Sequence, residues 1–333
     1  MAVYTQIGAE EMAALIAEFE VGTLTSAKGI AEGVSNSNWL IDTTGHVGPN
    51  GQQTPERFIL TMYEYRIEIA DLPFFLSLLD HLAGKHCPVP RTIHDRAGNL
   101  YRLREDPERG VRALALIEYL PGVSVSDPTP GQARSVGAAL AQMHLAAADF
   151  PQSRENGMGL SEWQRLAAEC GEDGLRAIDP ELARIVECEL PLLAARWPTD
   201  LPRAVIHADL FPDNVLMLGD TVTGLIDFYF ACTDMTAYDL AVTHTAWVFD
   251  PSGRAFRPEL SRALVEGYES VRPLSDAERA ALPILARGAA LRFTMSRAFD
   301  WLNTPADALV TRKDPIAYLN RLDFYEANPH VIA

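Results

Sequence analysis

The stretch VIHADLFPDNVLML, residues 205–218, places a polar turn between two apolar runs. The turn contains His207, Asp209 and Asn214, and Asp227 follows in the apolar segment GLIDFYF. Asp and Asn are also common in ordinary turns, because their side chains bond the local backbone. Carboxylates at the ends of buried strands are costly without partners, however, so this pattern favours a functional site.

The residue types in this stretch suit the chemistry of phosphoryl transfer. An alcohol needs a carboxylate to accept its proton, and we predict that Asp209 is this catalytic base. Mg²⁺ prefers oxygen ligands, so Asn214 and Asp227 are the predicted metal ligands. Protein kinases have the same order of a loop aspartate, an asparagine five residues later and a second, metal-binding aspartate.

Length and composition limit the classes of protein to consider. The chain has 333 residues, 48% of them hydrophobic, and a formal net charge of −17. This size suits two lobes, and the charge argues against nucleic acid or an anionic membrane as the main partner. No secretion signal or membrane span is expected, because the N-terminus lacks a basic segment and no apolar window reaches about eighteen residues. Four scattered cysteines favour a reducing compartment, so we predict a cytoplasmic location. We expect the protein to be a monomer or a homodimer.

Apolar periodicity predicts an α+β protein of two lobes, and the kinase-like order of the loop residues makes a protein-kinase-like fold the expectation. The expected elements of the first part are a helix at about 9–19, strands near 21–30, 36–42, 57–63 and 111–120, and a helix from an Asp71 N-cap to Gly84. Helices are expected later at about 129–148, 161–170, 179–196, 259–270, 276–302 and 314–326, interrupted by one hairpin-like pair around 205–227. We therefore predict a small β-rich N-lobe over 1–118, a hinge over 119–123 and a larger, mainly helical C-lobe over 124–333, with a nucleotide in the cleft.

Longer runs of the sequence resemble known kinases. VIHADLFPDNVLMLGDTVTGLIDFYFACTDMTAYDLAV resembles the core of the aminoglycoside-phosphotransferase and choline-kinase-like superfamily. Runs nearer both ends, among them VGTLTSAKGIAEGVSNSNWLI and LPILARGAALRF, are similar to bacterial homoserine kinases of the protein-kinase-like type. The resemblance covers most of the chain. It implies that L-homoserine is phosphorylated to O-phospho-L-homoserine by ATP with Mg²⁺, a step toward threonine.

The resemblance also implies roles for single residues. His207 would shape the catalytic loop, and Asp239 in the segment AYDLA would support that loop structurally. The hinge would present backbone groups to adenine, and the residues expected there are Glu118 and Leu120.

The segment KGIAEGVSNSN is expected to fold over the phosphates, with Lys28, Gly29 and Gly33 as cofactor-binding residues. One departure from the family pattern concerns the phosphate-binding cation. Related kinases usually have Lys or Arg in the third strand, where this chain has Thr61 in RFILTMYEYR. Lys28 and Arg66 are the nearest candidates to replace that cation.

A pocket for homoserine should offer an arginine to the carboxylate and oxygen atoms to the ammonium group. The predicted helix LARGAALRFTMSRAFDWL contains Arg287, Arg292 and Arg297, and we choose Arg292 for the carboxylate. An alternative is that these arginines pair with carboxylates of the helical bundle. Asp234 and Tyr229 follow the metal aspartate closely, so we expect them to line the same pocket.

Two other functions fit the sequence. A kinase of another amino alcohol, such as choline or an aminoglycoside, would have the same fold, and the charge of −17 suits a cationic acceptor. A nucleotide-binding pseudokinase would explain the missing strand cation, but Asp209, Asn214 and Asp227 are all present.

Five other residues have side chains that could take part in catalysis or binding, but we expect structural roles for them. His144 lies in the apolar helical segment ALAQMHLAA and is expected to be a satisfied core histidine, as is His244. Trp247 and Trp301 are expected in the helical core. Asp213 is assigned to plain turn chemistry.

Overall fold

A computed structural model describes residues 7–30, 36–46, 53–64, 67–106, 110–304 and 312–332 of the chain. The chain forms two compact units, Met1–Pro121 and Gly122–Ala333. The hinge expected at 119–123 stays a prediction. No helix in the described ranges is long and apolar enough to cross a membrane.

The first unit is built around an antiparallel sheet. Its elements are α1 (Ala9–Ile16), β1 (Leu24–Ile30), β2 (Asn36–Thr43), β3 (Glu56–Tyr63), α2 (Leu72–Gly84), β4 (Thr92–Ile93), β5 (Arg102–Asp106) and β6 (Gly110–Glu118). The strand order is β1-β2-β3-β6-β4, and β5 also pairs with β6. Side chains on one face of β2 and β3, such as Trp39 and Leu60, pack with Met12 and Ile16 of α1. The alternation of side chains along each strand thus builds the core of this unit.

Helix α2 matches its prediction except at its first residue. Pro73 lies in the first turn, Gly84 is the last residue, and the predicted apolar face, including Phe75, is buried. Asp71 occupies the predicted N-cap position, but its side chain makes no capping hydrogen bond, so the capping role itself is wrong. A 3₁₀ turn over Ile69–Asp71 runs directly into α2, so Asp71 has a helical backbone conformation where an N-cap would be extended.

The second unit is mainly helical. Its elements are α3 (Pro130–Ala147), α4 (Leu160–Ile178), α5 (Pro180–Arg196), β7 (Arg203–Ile206), β8 (Val215–Leu218), β9 (Thr221–Leu225), β10 (Cys232–Met235), α6 (Thr236–Trp247), α7 (Pro258–Glu269), α8 (Asp276–Asn303) and α9 (Ile316–Ala327). Capping boxes at Thr129 and Ser275 begin α3 and α8. The side chain at each of these N-caps satisfies a backbone N–H that the first turn leaves free.

The structure corrects three predictions in this unit. The hairpin-like pair around 205–227 is confirmed only for β8 with β9, and it is not the only β element, because β7 pairs separately with β10. Helix α6 was not predicted, since nearly all of its residues are buried and it has no polar face to give a helical period. Trp247 is buried as predicted, but Trp301 is 37% exposed, with the Arg312 guanidinium over its ring.

Helices α3 and α7 cross closely at two glycines. A Cβ on Gly137 would lie 2.0 Å from a carbonyl oxygen of α7, and one on Gly267 would lie 2.0 Å from a carbonyl oxygen of α3. The two backbones therefore touch without side chains between them. The crossing brings His144 of α3 beside Tyr268 of α7, with the imidazole Nδ1 2.8 Å from the tyrosine hydroxyl.

Candidate active site

The candidate active site lies in the second unit, where the turn after β7 meets the turn after β9. The N–H of Ile226 donates to the carbonyl oxygen of Asn214 at 3.0 Å. The Nε2–H of His207 donates to the carbonyl oxygen of Ile226 at 2.9 Å. These two hydrogen bonds join the turns, and they bring Asp209, Asn214 and Asp227 together.

The side chain of Asn214 is hydrogen-bonded to Asp209. Its amide nitrogen donates to the Asp209 carbonyl oxygen at 2.7 Å and to Oδ2 at 3.3 Å, so the amide oxygen faces away from Asp209. Asp209 is half-buried, and desolvation raises the pKa of its carboxyl to about 7, against the opposing charge of Arg292. A carboxylate with a pKa near neutrality is suited to accepting a proton.

Asp227 has a strained backbone and an accessible carboxylate. Its φ of 65° and ψ of 61° place it in the left-handed region, which costs a non-glycine residue of order 1 kcal/mol and recurs at functional sites. The residue is exposed to solvent, yet desolvation by the surrounding protein raises the pKa of its carboxyl to about 6. An accessible but poorly solvated carboxylate is a suitable ligand for a divalent cation.

The oxygen donors of Asp227 and Asn214 fit Mg²⁺. The described ranges contain no group of three or more His, Cys, Asp or Glu side chains arranged to hold a metal ion. Asp227 would therefore share an ion with the amide oxygen of Asn214, and with water and phosphate oxygens. Mg²⁺ is usually bound in this way, by one or two carboxylates, several waters and substrate phosphates.

Asp239 supports the catalytic loop from α6. Its carboxylate accepts hydrogen bonds from the N–H groups of His207 and Ala208, both at 2.7 Å. Ala208 also has a left-handed φ, of 61°, and this bond holds it there. The His144 Nε2 lies 2.9 Å from Asp239 Oδ2. Burial acts to raise the pKa of Asp239, but the hydrogen bonds outweigh it and hold the pKa below its usual range.

His144 is thus a satisfied buried histidine, as predicted, since its two ring nitrogens contact Tyr268 and Asp239. His244 is also satisfied, with its ring nitrogens 2.7 Å from the Tyr325 hydroxyl and 2.8 Å from the Ser261 hydroxyl. The prediction that both are core residues is confirmed.

His207 and Arg292 hold the same loop from other directions. Burial lowers the pKa of His207, so its ring is neutral, and the ring packs on Phe228 with centroids 4.5 Å apart. Arg292 is 1% exposed, and its Nη1 donates to the carbonyl oxygen of Ala208. Arg292 therefore contacts the backbone of the catalytic loop, and this burial does not favour its predicted contact with an acceptor carboxylate.

Asp234 and Tyr229 follow Asp227 in the chain. Asp234 is buried and accepts hydrogen bonds from the Asn156 side chain at 2.7 Å and from the Met235 N–H at 2.8 Å. Both of its oxygens are therefore engaged within the protein. Tyr229 is half-buried. The substrate-binding roles of both residues stay predictions.

The predicted phosphate-binding residues belong to the first unit. Lys28 and Gly29 are exposed in β1, while Gly33 and Arg66 lie outside the described residues. Thr61 is buried in β3, and its hydroxyl donates to a side-chain oxygen of β2 at 2.8 Å. The strand position that carries a cation in related kinases thus has a hydrogen-bonded hydroxyl. The assignment of Lys28 or Arg66 as the phosphate-binding cation stays a prediction.

The two predicted adenine-binding residues follow the last long strand of that unit. Glu118 is exposed at the end of β6, and its N–H donates to the Arg91 carbonyl oxygen at 2.9 Å. Leu120 is half-buried just beyond the strand. Their contact with adenine stays a prediction.

The structure adds two charged residues that the sequence had not indicated for the site. In addition to desolvation, the charge of Asp213 raises the pKa of both Asp209 and Asp227. Lys313 lowers the pKa of the same two groups, and its Nζ lies 5.6 Å from the centroid of the Phe211 ring. Asp213 could have been found from the sequence, because it is a further carboxylate in the same short loop as Asp209. No local pattern indicated Lys313, which is distant in sequence.

Comparisons with known proteins agree with this chemistry. Residues 26–274 match the phosphotransferase enzyme family. The homoserine kinase of Xanthobacter autotrophicus is 47% identical over 98% of this chain and 97% of its own, and that of Gluconobacter oxydans is 47% identical over 99% and 100%.

Solved structures that resemble this chain share its fold. An amicoumacin kinase in complex with AMP-PNP and Ca²⁺ has a TM-score of 0.70 at 14% identity, covering 97% of this chain and 94% of its own. A spectinomycin phosphotransferase in complex with ADP and spectinomycin has a TM-score of 0.68 at 13% identity, covering 98% and 100%. The predicted α+β, protein-kinase-like fold is confirmed.

Proposed function

The chain belongs to the phosphotransferase enzyme family, and on this premise we propose that it transfers the γ-phosphoryl group of ATP to the hydroxyl of L-homoserine, forming O-phospho-L-homoserine. Homoserine kinases that match along nearly the whole chain support this acceptor. The observation that carries the reaction type is the convergence of Asp209, Asn214 and Asp227 on two joined turns.

Asp209 serves as the base in the proposed reaction. The acceptor oxygen forms a bond to the γ-phosphorus while the bond from that phosphorus to the bridging oxygen of ADP breaks. The hydroxyl proton passes to the Asp209 carboxylate, whose pKa of about 7 lets it accept and later release a proton near neutral pH. Asn214 keeps this carboxylate in place through its amide nitrogen.

We further propose that Asp227 and the amide oxygen of Asn214 hold Mg²⁺. When bound, the ion neutralises negative charge on the phosphates of ATP. The left-handed backbone of Asp227, of a kind that recurs at functional sites, and the charge interaction between Asp227 and Asp209 support this assignment. The proposal includes a cytoplasmic location, since four free cysteines suit a reducing compartment.

Removing a proposed metal ligand should raise the Mg²⁺ requirement. We expect Asp227→Ala and Asn214→Ala to raise the Mg²⁺ concentration for half-maximal activity by about 10- to 100-fold, because each loses one oxygen ligand. Steady-state ADP release over a range of Mg²⁺ concentrations measures this. Asp220→Asn is the matched control, since Asp220 is an exposed acidic residue in the turn between β8 and β9. An unchanged midpoint in either ligand variant would remove that residue from the metal site.

The acceptor is tested by comparing substrates on the intact enzyme. ADP release should be at least about 100-fold more efficient in kcat/KM with L-homoserine than with choline or an aminoglycoside, because polar groups built for one acceptor are left unpaired by another. Turnover of choline or an aminoglycoside without turnover of L-homoserine would contradict the proposed acceptor. Turnover of none of them, with ATP still bound, would instead favour a non-catalytic nucleotide-binding protein.

A further inference from the structure

Beside the catalytic loop, cations gather around a group of aromatic rings. They are Arg292 and Arg297 of α8, Lys313 before α9, and Arg321 of α9. The three guanidinium groups donate to backbone carbonyl oxygens, those of Ala208, Asp314 and Asp250. Within the described ranges, none of the four cations pairs with an Asp or Glu side chain.

Another arginine of α8 shows the more usual arrangement, in which a cation pairs with a carboxylate. Arg287 pairs with Glu189, which is how most buried cations in proteins are stabilised. The whole chain has a net charge of −17, so acidic side chains are abundant. Within the described ranges these four cations form no salt bridge, although the charges of Asp209 and Asp314 act on Arg297. In such a chain, this favours a place where an anion binds.

Two of these cations share one ring. The guanidinium carbon of Arg297 lies 4.4 Å from the centroid of Tyr318, and that of Arg321 lies 4.1 Å from it. The ring faces attract both groups, but the like charges repel each other, and a nearby anion would relieve that repulsion. Burial lowers the pKa of Arg297, and the charge of Arg321 adds to this effect.

The ring of Tyr318 is connected to the catalytic loop by packing. Its centroid lies 4.9 Å from that of Phe293, which lies 5.0 Å from that of Phe211, two residues beyond the proposed base. The charge of Asp209 also acts on the Arg297 guanidinium. The cation cluster thus lies close to the loop that contains Asp209, which suits a short hydroxy amino acid bound between them.

Accessibility separates the four cations. Arg292 and Arg321 are buried, at 1% and 5% exposure, whereas Arg297 is half-buried and Lys313 is exposed. Only the latter two can reach a ligand from solvent among these four. The planar guanidinium of Arg297 also has the fork geometry that binds a carboxylate through two parallel hydrogen bonds.

We propose that Arg297 binds the carboxylate of the acceptor, with Lys313 beside it and with Tyr318 and Arg321 as positioning residues behind it. This inference rests on the proposed function and deepens it, because it makes the acceptor class a hydroxy α-amino acid. The same cations disfavour polycationic acceptors such as aminoglycosides, since like charges would be brought together.

The test compares two acceptors that differ only in the carboxylate. L-Homoserine has it, and 3-aminopropan-1-ol has the same hydroxyl and amine without it. For Arg297→Met we expect KM for L-homoserine to rise about 100-fold with little change in kcat, because uniform binding is lost. The kcat/KM for 3-aminopropan-1-ol should not fall, and should rise by no more than a few-fold, since that acceptor makes no contact with the guanidinium and has a like charge.

Arg312 supplies the matched control. Its guanidinium also lies over an aromatic ring, that of exposed Trp301 at 5.2 Å, and also donates to a backbone carbonyl oxygen, at 3.0 Å. Arg312→Met should leave both acceptors unaffected. Arg297→Lys keeps the charge without the fork, so it should raise KM for L-homoserine by about 10-fold.

The outcomes distinguish the possible failures. Equal losses on both acceptors, or an unchanged KM for L-homoserine in Arg297→Met, would overturn the carboxylate site. If Arg297→Met does not fold, as judged by its melting temperature and its KM for ATP, an unchanged KM for L-homoserine in Arg297→Lys would overturn it instead. A wild-type enzyme that does not turn over L-homoserine would overturn the proposed function itself.

Discussion

The variant Asp209→Asn is expected to lose about 1,000-fold in kcat while it still binds ATP. The asparagine keeps the shape of the side chain and an oxygen that Asn214 can donate to, at the position now 3.3 Å away. It cannot accept the hydroxyl proton in the transition state, and a positioned general base is worth about 100- to 10,000-fold. Single-turnover ADP formation measures the chemical step, and calorimetric titration with AMP-PNP measures nucleotide binding.

The control for this experiment is Asp220→Asn, which makes the same chemical change in an exposed turn. Its kcat should remain within about 2-fold of wild type, as for most surface substitutions. A kcat for Asp209→Asn close to that of the wild type would remove Asp209 from the chemical step. Loss of AMP-PNP binding together with kcat would show a structural effect, and the role of base would then not be supported.

The second large effect is expected from Asp239→Ala, which should lower the free energy of unfolding by about 3–5 kcal/mol. The substitution leaves the N–H groups of His207 and Ala208 and the ring of His144 without their acceptor in a fully buried position. Ala208 would also lose the bond that holds its left-handed φ. We therefore expect kcat to fall as well, because the following residue is the proposed base.

Urea unfolding of the full chain measures this loss, and Asp250→Ala is the control. Asp250 also accepts backbone hydrogen bonds, from Ser252 and Ala255, but it is half-buried where Asp239 is fully buried, so its loss should cost only about 1–2 kcal/mol. Equal costs for the two variants would contradict the proposed support by Asp239. Because the pKa of Asp239 is lowered by folding, its contribution is fully present above about pH 4 and is lost as the pH falls below it.

Much of the fold could be predicted because its signals are local. Helix α2 shows an apolar face, an early proline and a final glycine, and its bounds were found to within one residue. Pairing of β7 with β10 has no such signal, since the partner strand lies beyond two other strands in the sequence. Helix α6 was missed for a related reason, because burial on all sides removes the polar positions that reveal a helical period.

The residues of the candidate site likewise include some that the local sequence indicates and some that it does not. Asp209 and Asn214 share one turn, and their residue types and spacing already indicate phosphoryl transfer. The cations around Tyr318 could not be predicted as a group, because they come from two helices and the segment between them. That none of them forms a salt bridge within the described ranges is a property of the folded molecule. The sequence therefore indicated an arginine in α8, but not which one is free to bind a ligand.

In the proposed arrangement, the groups that transfer the phosphoryl group and the group that selects the acceptor are carried by different elements. Asp209, Asn214 and Asp227 belong to turns beside the small strands, whereas Arg297 belongs to α8. Substitutions on that helix can change acceptor preference while the reacting carboxylates keep their backbone geometry. Divergence toward new acceptors, in nature or in directed evolution, would then proceed through α8 and α9 with the catalytic turns retained.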